Sequence, residues 1–190
     1  MLGRAGKVDE RCHGHRRRLI GQHDLEFHVR DEPHPRGAYS APSLEFVSTW
    51  DPGAGVVELP DGRHVRGTGW RRPRGGVPVP DFAVYLLGRD PRIEGWPCRW
   101  VRWRDFGRPA STEAALDALR EAHRRAGTER VEVACGAGVG RTGTALAVLA
   151  IEAGLDAEEA VGWVRAHYHP RAVETRRQRR WLDEIARHRE

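Results

Sequence analysis

Val131-Glu132-Val133-Ala134-Cys135-Gly136-Ala137-Gly138-Val139-Gly140-Arg141-Thr142-Gly143 is the stretch that decides the fold. Residues 131–135 read as a buried strand ending on a cysteine, and the apolar run 140–153 reads as a helix. A strand passed through a glycine-rich turn into a helix is a unit of parallel sheets covered by helices. Gly136, Gly138 and Gly140 let successive backbone N–H groups turn inward with no Cβ in the way, which makes a concave nest for an anion. The helix starting near Gly140 aims its positive end at the same place. Ala137 and Val139 complete the loop, and Arg141 offers a planar fork for two phosphate oxygens. A cysteine held in such a field is favoured as its thiolate, the nucleophilic form.

The bare interval between cysteine and arginine decides nothing, because Cys12 precedes Arg18 and Cys98 precedes Arg104 at the same distance. Cys12 lies among histidines and arginines with no strand before it, and no glycine stands between Cys98 and Arg104. Only Cys135 has the strand, the glycines, the hydroxyl of Thr142 and the helix.

Upstream, residues 44–50 read as a first strand. Residues 56–59 and 63–66 flank Pro60-Asp61-Gly62, a hairpin turn signal. Residues 71–80, rich in Arg, Pro and Gly, are a loop, and 82–87 form a near-continuous apolar run suited to a central strand. Residues 99–103 alternate Trp and Val with Arg, which predicts another strand. Ser111 caps a helix over 112–126 with Leu116, Leu119, Ala122 and Ala126 on one face, and Gly127 stops it. Gly154 ends the helix after Cys135, and Asp156 with Glu159 predicts a capping box for a third helix to about residue 168. Residues 175–187 predict a fourth, with Trp181, Leu182 and Ile185 facing inward. The alternation specifies an α/β fold, a central mostly parallel sheet flanked by helices. The loop after Cys135 then falls at the carboxyl end of a strand, where such sheets bind ligands.

The 190 residues suit one domain over 41–190, preceded by a flexible basic leader over 1–40. A mean hydropathy of −0.65 is low for a compact chain and fits such a polar segment. No run approaches the ~18 apolar residues of a membrane span. Residues 1–20 lack the apolar centre of a signal peptide, so a cytoplasmic location is expected. Three unevenly spaced cysteines read as reduced thiols rather than a disulfide frame. The net charge of +5 invites a nucleic-acid reading. However, Lys7 is the single lysine, the arginines are spread along the chain, and alanine and glycine abound, as in a GC-rich coding sequence, so no nucleic-acid partner is expected. The histidines around Cys12 and at His167 and His169 have no second ligand pair at zinc spacing; no metal and no cofactor are expected.

Cys135 to Gly143, read C-G-A-G-V-G-R-T-G, resembles the H-C-S-A-G-V-G-R-T-G signature of the cysteine-dependent protein tyrosine phosphatases. Trp103-Arg104-Asp105-Phe106-Gly107-Arg108-Pro109 resembles that family's mobile loop W-P-D-F-G-x-P, and Pro170 to Thr175 with Gln178 resembles the segment carrying a water-positioning glutamine. The three motifs stand in family order over roughly residues 81–190, in a chain of compact, dual-specificity size. Ala134 stands where the family has histidine, Gly136 where it has serine, and Arg104 where it has proline.

The resemblance implies hydrolysis of phosphotyrosine, with phosphoserine and phosphothreonine also in range, through a thiophosphate on Cys135. Residues 136–141 and Arg141 would bind the phosphate, Asp105 would be the general acid, Thr142 would hydrogen-bond the sulfur, and Gln178 would orient water. The implied partner is a phosphorylated protein or a small phosphoester. Two alternatives stand beside it: a non-catalytic phosphate-binding pseudophosphatase, for which Ala134 and Arg104 speak, and a phosphatase of inositol phosphates or lipid headgroups.

Overall fold

A computed structural model describes residues 49–187. The expected leader and nearly all of the expected first strand lie outside the described residues; of that strand, Thr49 and Trp50 are described and are not in a strand. Among the described residues five strands form one sheet. They are β1 (Val56–Glu58), β2 (His64–Gly69), β3 (Phe82–Leu87), β4 (Cys98–Arg102) and β5 (Val131–Cys135). Four helices accompany them: α1 (Thr112–Arg125), α2 (Gly140–Glu152), α3 (Ala160–His167) and α4 (Arg176–Arg187).

The strand order is β1-β2-β5-β3-β4. β1 pairs antiparallel with β2 through the expected hairpin, whose Gly62 has a φ of 85°. Every other pairing is parallel, as the alternation of strands and helices requires. β5 sits at the centre, with Val133 beside Gly67 on one side and Val84 on the other. The cysteine strand therefore has a neighbour on both edges, and its residues are buried throughout.

Alternation along the strands sorts two faces. Phe82, Val84, Leu86, Val131, Val133 and Cys135 face one apolar core with residues from all four described helices. Ala83, Tyr85 and Ala134 face the other side, where Ile93, Cys98 and Trp96 cover them. That second side also holds charge. Glu132 is 1% exposed and pairs with Arg66 at 2.5 Å and Arg74 at 2.6 Å. Trp50 donates its Nε1 hydrogen to the Val131 carbonyl at 2.7 Å, and the Arg66 guanidinium lies over its ring.

Ser111 caps α1 as expected, its hydroxyl accepting from the Ala114 N–H at 3.1 Å. The buried stripe of α1 is Ala115, Ala118, Leu119 and Ala122, while Leu116 is only partly covered. The third helix starts later than the capping-box spacing predicts. Asp156 accepts from the Glu158 N–H at 3.0 Å and so closes a separate turn, and α3 begins at Ala160 with no side-chain cap. Cys98 departs from the expectation of reduced thiols: it is disulfide-bonded. Cys135 is the free cysteine among the described residues. No helix among the described residues is long and apolar enough to cross a membrane.

Candidate active site

β5 carries Cys135 to the carboxyl edge of the sheet, where the side chain is 2% exposed. The chain then turns back through residues 136–139, and the Gly138 N–H donates to Cys135 Sγ at 3.2 Å. Gly138 has a φ of 78°, and a Cβ there would stand 2.5 Å from the Gly69 nitrogen. Only glycine allows that approach and that backbone conformation together. Two neighbours brace the loop. The Trp70 N–H donates to the Cys135 carbonyl at 2.6 Å, and the Tyr168 hydroxyl donates to the Gly138 carbonyl at 2.6 Å. Burial, and then the proximity of Cys135, pushes the Tyr168 phenol well above its ordinary range, so it stays a donor. Among the described residues the N–H groups of Gly136, Ala137 and Val139 take no backbone acceptor. The first N–H groups of α2 point into the same loop end by helix geometry.

Arg141, in the first turn of α2, is 5% exposed. Its Nη1 donates to the carbonyls of Leu86 and Trp103, each at 3.0 Å. Its Nη2 pairs with Asp105 Oδ1 at 3.0 Å, and its Nε–H is buried with no partner. Asp105 is exposed, on a tight loop between β4 and α1. That loop is pinned at its base by Trp103, which is fully buried, packs edge-on against Trp181 with centroids 5.0 Å apart, and donates Nε1–H to the Gly107 carbonyl at 2.8 Å. Trp103 also bridges Pro109, which closes the loop into a ring. Phe106 holds a φ of 56° at its tip and is 60% exposed.

Three sequence-expected residues, Cys135, Arg141 and Asp105, thus belong to one cluster. The remaining two are placed around it. Thr142 is fully buried, and its hydroxyl donates to the Thr68 carbonyl at 3.4 Å. Gln178 is fully buried rather than solvated. Its Oε1 accepts from the Thr175 N–H while the Thr175 hydroxyl accepts from the Gln178 N–H, each at 3.2 Å. This reciprocal pair is a capping box at the start of α4. The Thr175 hydroxyl in turn donates to the Phe106 carbonyl at 3.1 Å, so the α4 cap and the Asp105 loop are tied together. Gln178 Nε2 is buried with no partner.

Residues 82–182 match the family model for protein-tyrosine phosphatase. The chain belongs to the protein-tyrosine phosphatase family. Its motifs, its fold and the clustering of Cys135, Arg141 and Asp105 agree with that membership. Among solved structures, Tk-PTP in its active form is similar at 29% identity over 69% of this chain and 96% of that one, with a TM-score of 0.56. A mutant form of Tk-PTP is similar at 30% identity over 57% of this chain and 77% of that one, with a TM-score of 0.50. None of the curated proteins matches this chain. A phosphatase fold implies a phosphorylated substrate.

Two further residues pack against the loop after Cys135. Tyr168 holds the loop through Gly138, yet its position after α3 gives no local signal of that contact. Glu174 lies against Gly140, where a Cβ would displace the end of that carboxylate side chain. Ala134 lies between Thr68 and Tyr85 in the sheet and lines a cavity of about 170 Å³ with Trp96, Arg66 and Glu132. His167, considered as a metal ligand, instead stacks on Trp163, and His169 Nδ1 accepts from the Arg171 N–H at 3.0 Å.

Proposed function

We propose that this protein is a cysteine-dependent phosphatase that hydrolyses phosphotyrosine, with a dual-specificity range extending to phosphoserine and phosphothreonine, through a thiophosphate on Cys135. The observation that carries this reading is the 3.0 Å pair between Arg141 and Asp105 at the loop that begins with Cys135. It puts the group that would hold phosphate in contact with the group that would protonate its leaving oxygen. An arriving phosphate offers Arg141 its oxygens in place of that carboxylate, and offers the unpartnered Nε–H an acceptor. Asp105 is then released to face the leaving group.

In the first step Cys135 Sγ forms a bond to phosphorus as the bond to the leaving oxygen breaks, and Asp105 gives that oxygen its proton. The N–H groups of 136–141 and the Arg141 fork meet the charge on the equatorial oxygens, and their value lies in being fixed before it develops. In the second step a water oxygen bonds phosphorus, the bond to sulfur breaks, and the Asp105 carboxylate takes the water's proton. Thr142 donates a hydrogen bond to the departing sulfur, and Gln178 aligns the water. The exposed ring of Phe106 beside Asp105 supports an aromatic leaving group, hence phosphotyrosine.

Hydrolysis of an aryl phosphate tests the reading. Cys135→Ser abolishes turnover, because a serine hydroxyl is not ionised near neutral pH. Asp105→Ala lowers kcat by about 10²–10⁴-fold with little change in substrate binding. Phosphate binding without turnover in the unaltered protein would make it a pseudophosphatase instead.

A further inference from the structure

Beside the site described above, a groove of about 680 Å³ runs between the Asp105 loop and one face of α4. Its walls carry Arg102, Arg104, Arg108, Arg177 and Arg180, against the two carboxylates Asp105 and Glu184. Both carboxylates are already engaged, Asp105 with Arg141 at 3.0 Å and Glu184 with Arg108 at 3.3 Å. Arg102, Arg104, Arg177 and Arg180 have no carboxylate partner among the described residues. Four like charges around one concavity repel each other and raise the local concentration of anions. Arg104, which stands where the mobile-loop pattern has proline, is one of these walls, and Arg177 and Arg180 sit three apart on the same helix face.

Resting on the phosphatase reading, the geometry points to this groove as the subsite for acidic side chains flanking the phosphorylated residue of a peptide substrate. The general acid protonates the leaving oxygen, so the rest of the substrate stays joined on that residue's side. A groove that shares Asp105 with the site is therefore where the flanking chain runs. A peptide suits the walls better than a compact polyanion does. Its acidic side chains meet the arginines while its backbone N–H groups meet Glu184, whereas a ring carrying only phosphates would press charge against that carboxylate.

The test compares kcat/KM for three phosphotyrosine peptides whose flanks are acidic, neutral or basic, and for a plain aryl phosphate. The unaltered protein is expected to favour the acidic peptide over the neutral one on the order of tenfold, with the gap shrinking as salt rises. Arg177→Glu with Arg180→Glu removes or inverts that preference and leaves aryl phosphate hydrolysis unchanged, which shows that the variant is folded. Equal turnover of all three peptides overturns the groove and leaves the phosphatase reading standing. Faster hydrolysis of an inositol polyphosphate than of the acidic peptide overturns the peptide assignment. No turnover of any phosphoester overturns the phosphatase reading, and the groove assignment with it.

Discussion

Tyr168 reaches the loop after Cys135 from a distant segment, and its hydroxyl donates to the Gly138 carbonyl. Gly138 in turn gives its N–H to Cys135 Sγ, so the phenol acts on the sulfur through one residue. Its ring also packs on Gly67, where a Cβ would stand 2.6 Å from the Tyr168 Cε2 atom. Tyr168→Phe keeps the ring and removes the donor, leaving a carbonyl without its partner. The expected loss is about 1–2 kcal/mol in a urea titration, with a fall in kcat for an aryl phosphate and little change in KM. A fall in stability with kcat untouched would make Tyr168 a packing residue only.

At the level of elements, the Asp105 loop owes its shape to β4 and α4. Trp103 hangs from the end of β4 and packs on Trp181 of α4, and its Nε1–H closes the ring through Gly107. Trp103→Phe keeps most of the apolar contact and loses that hydrogen bond. It should lower kcat on the order of 10- to 100-fold by misplacing Asp105, while alkylation of Cys135 proceeds as before. Much of this arrangement is legible in the chain. The hairpin at Pro60–Gly62, the apolar runs of β3 and β5, the Ser111 cap and the cysteine loop are all local patterns, and each lies where its spacing puts it. What is illegible is set by contacts between distant segments. The start of α3 fails because Asp156 satisfies a turn of its own. The pairing of Gln178 with Thr175 is missed, although the Thr-x-x-Gln spacing is itself a capping-box signal. Tyr168 and the packing of Glu174 on Gly140 have no signature within their own segments.

Across the whole molecule, the two faces of the sheet rest on different physics. One is an apolar core under the helices, and the other buries Glu132 against Arg66 and the partly exposed Arg74, each guanidinium over a tryptophan. Removing one partner from such a buried cluster strands the others' charge, which is why it behaves as a unit. Tyr85 sits within it, fully buried, accepting from Trp96 Nε1–H at 3.1 Å. Burial first, and then the negative charge of Glu132, pushes its phenol up to about 12. The folded state therefore keeps a proton that the unfolded chain releases near pH 10. The stability tied to that proton is complete below pH 10 and is lost as pH rises toward 12. The chain has one lysine, Lys7, so this window is nearly free of ammonium titration. Urea midpoints measured at pH 9, 10 and 11 should fall progressively, with about 2–3 kcal/mol at stake for Tyr85 over the full span. Tyr168 shifts the same way and adds to the slope. Tyr85→Phe should flatten the fall without removing it, because Tyr168 remains. A slope unchanged in that variant would mean that Tyr85 ionises in the folded protein as readily as in the unfolded chain.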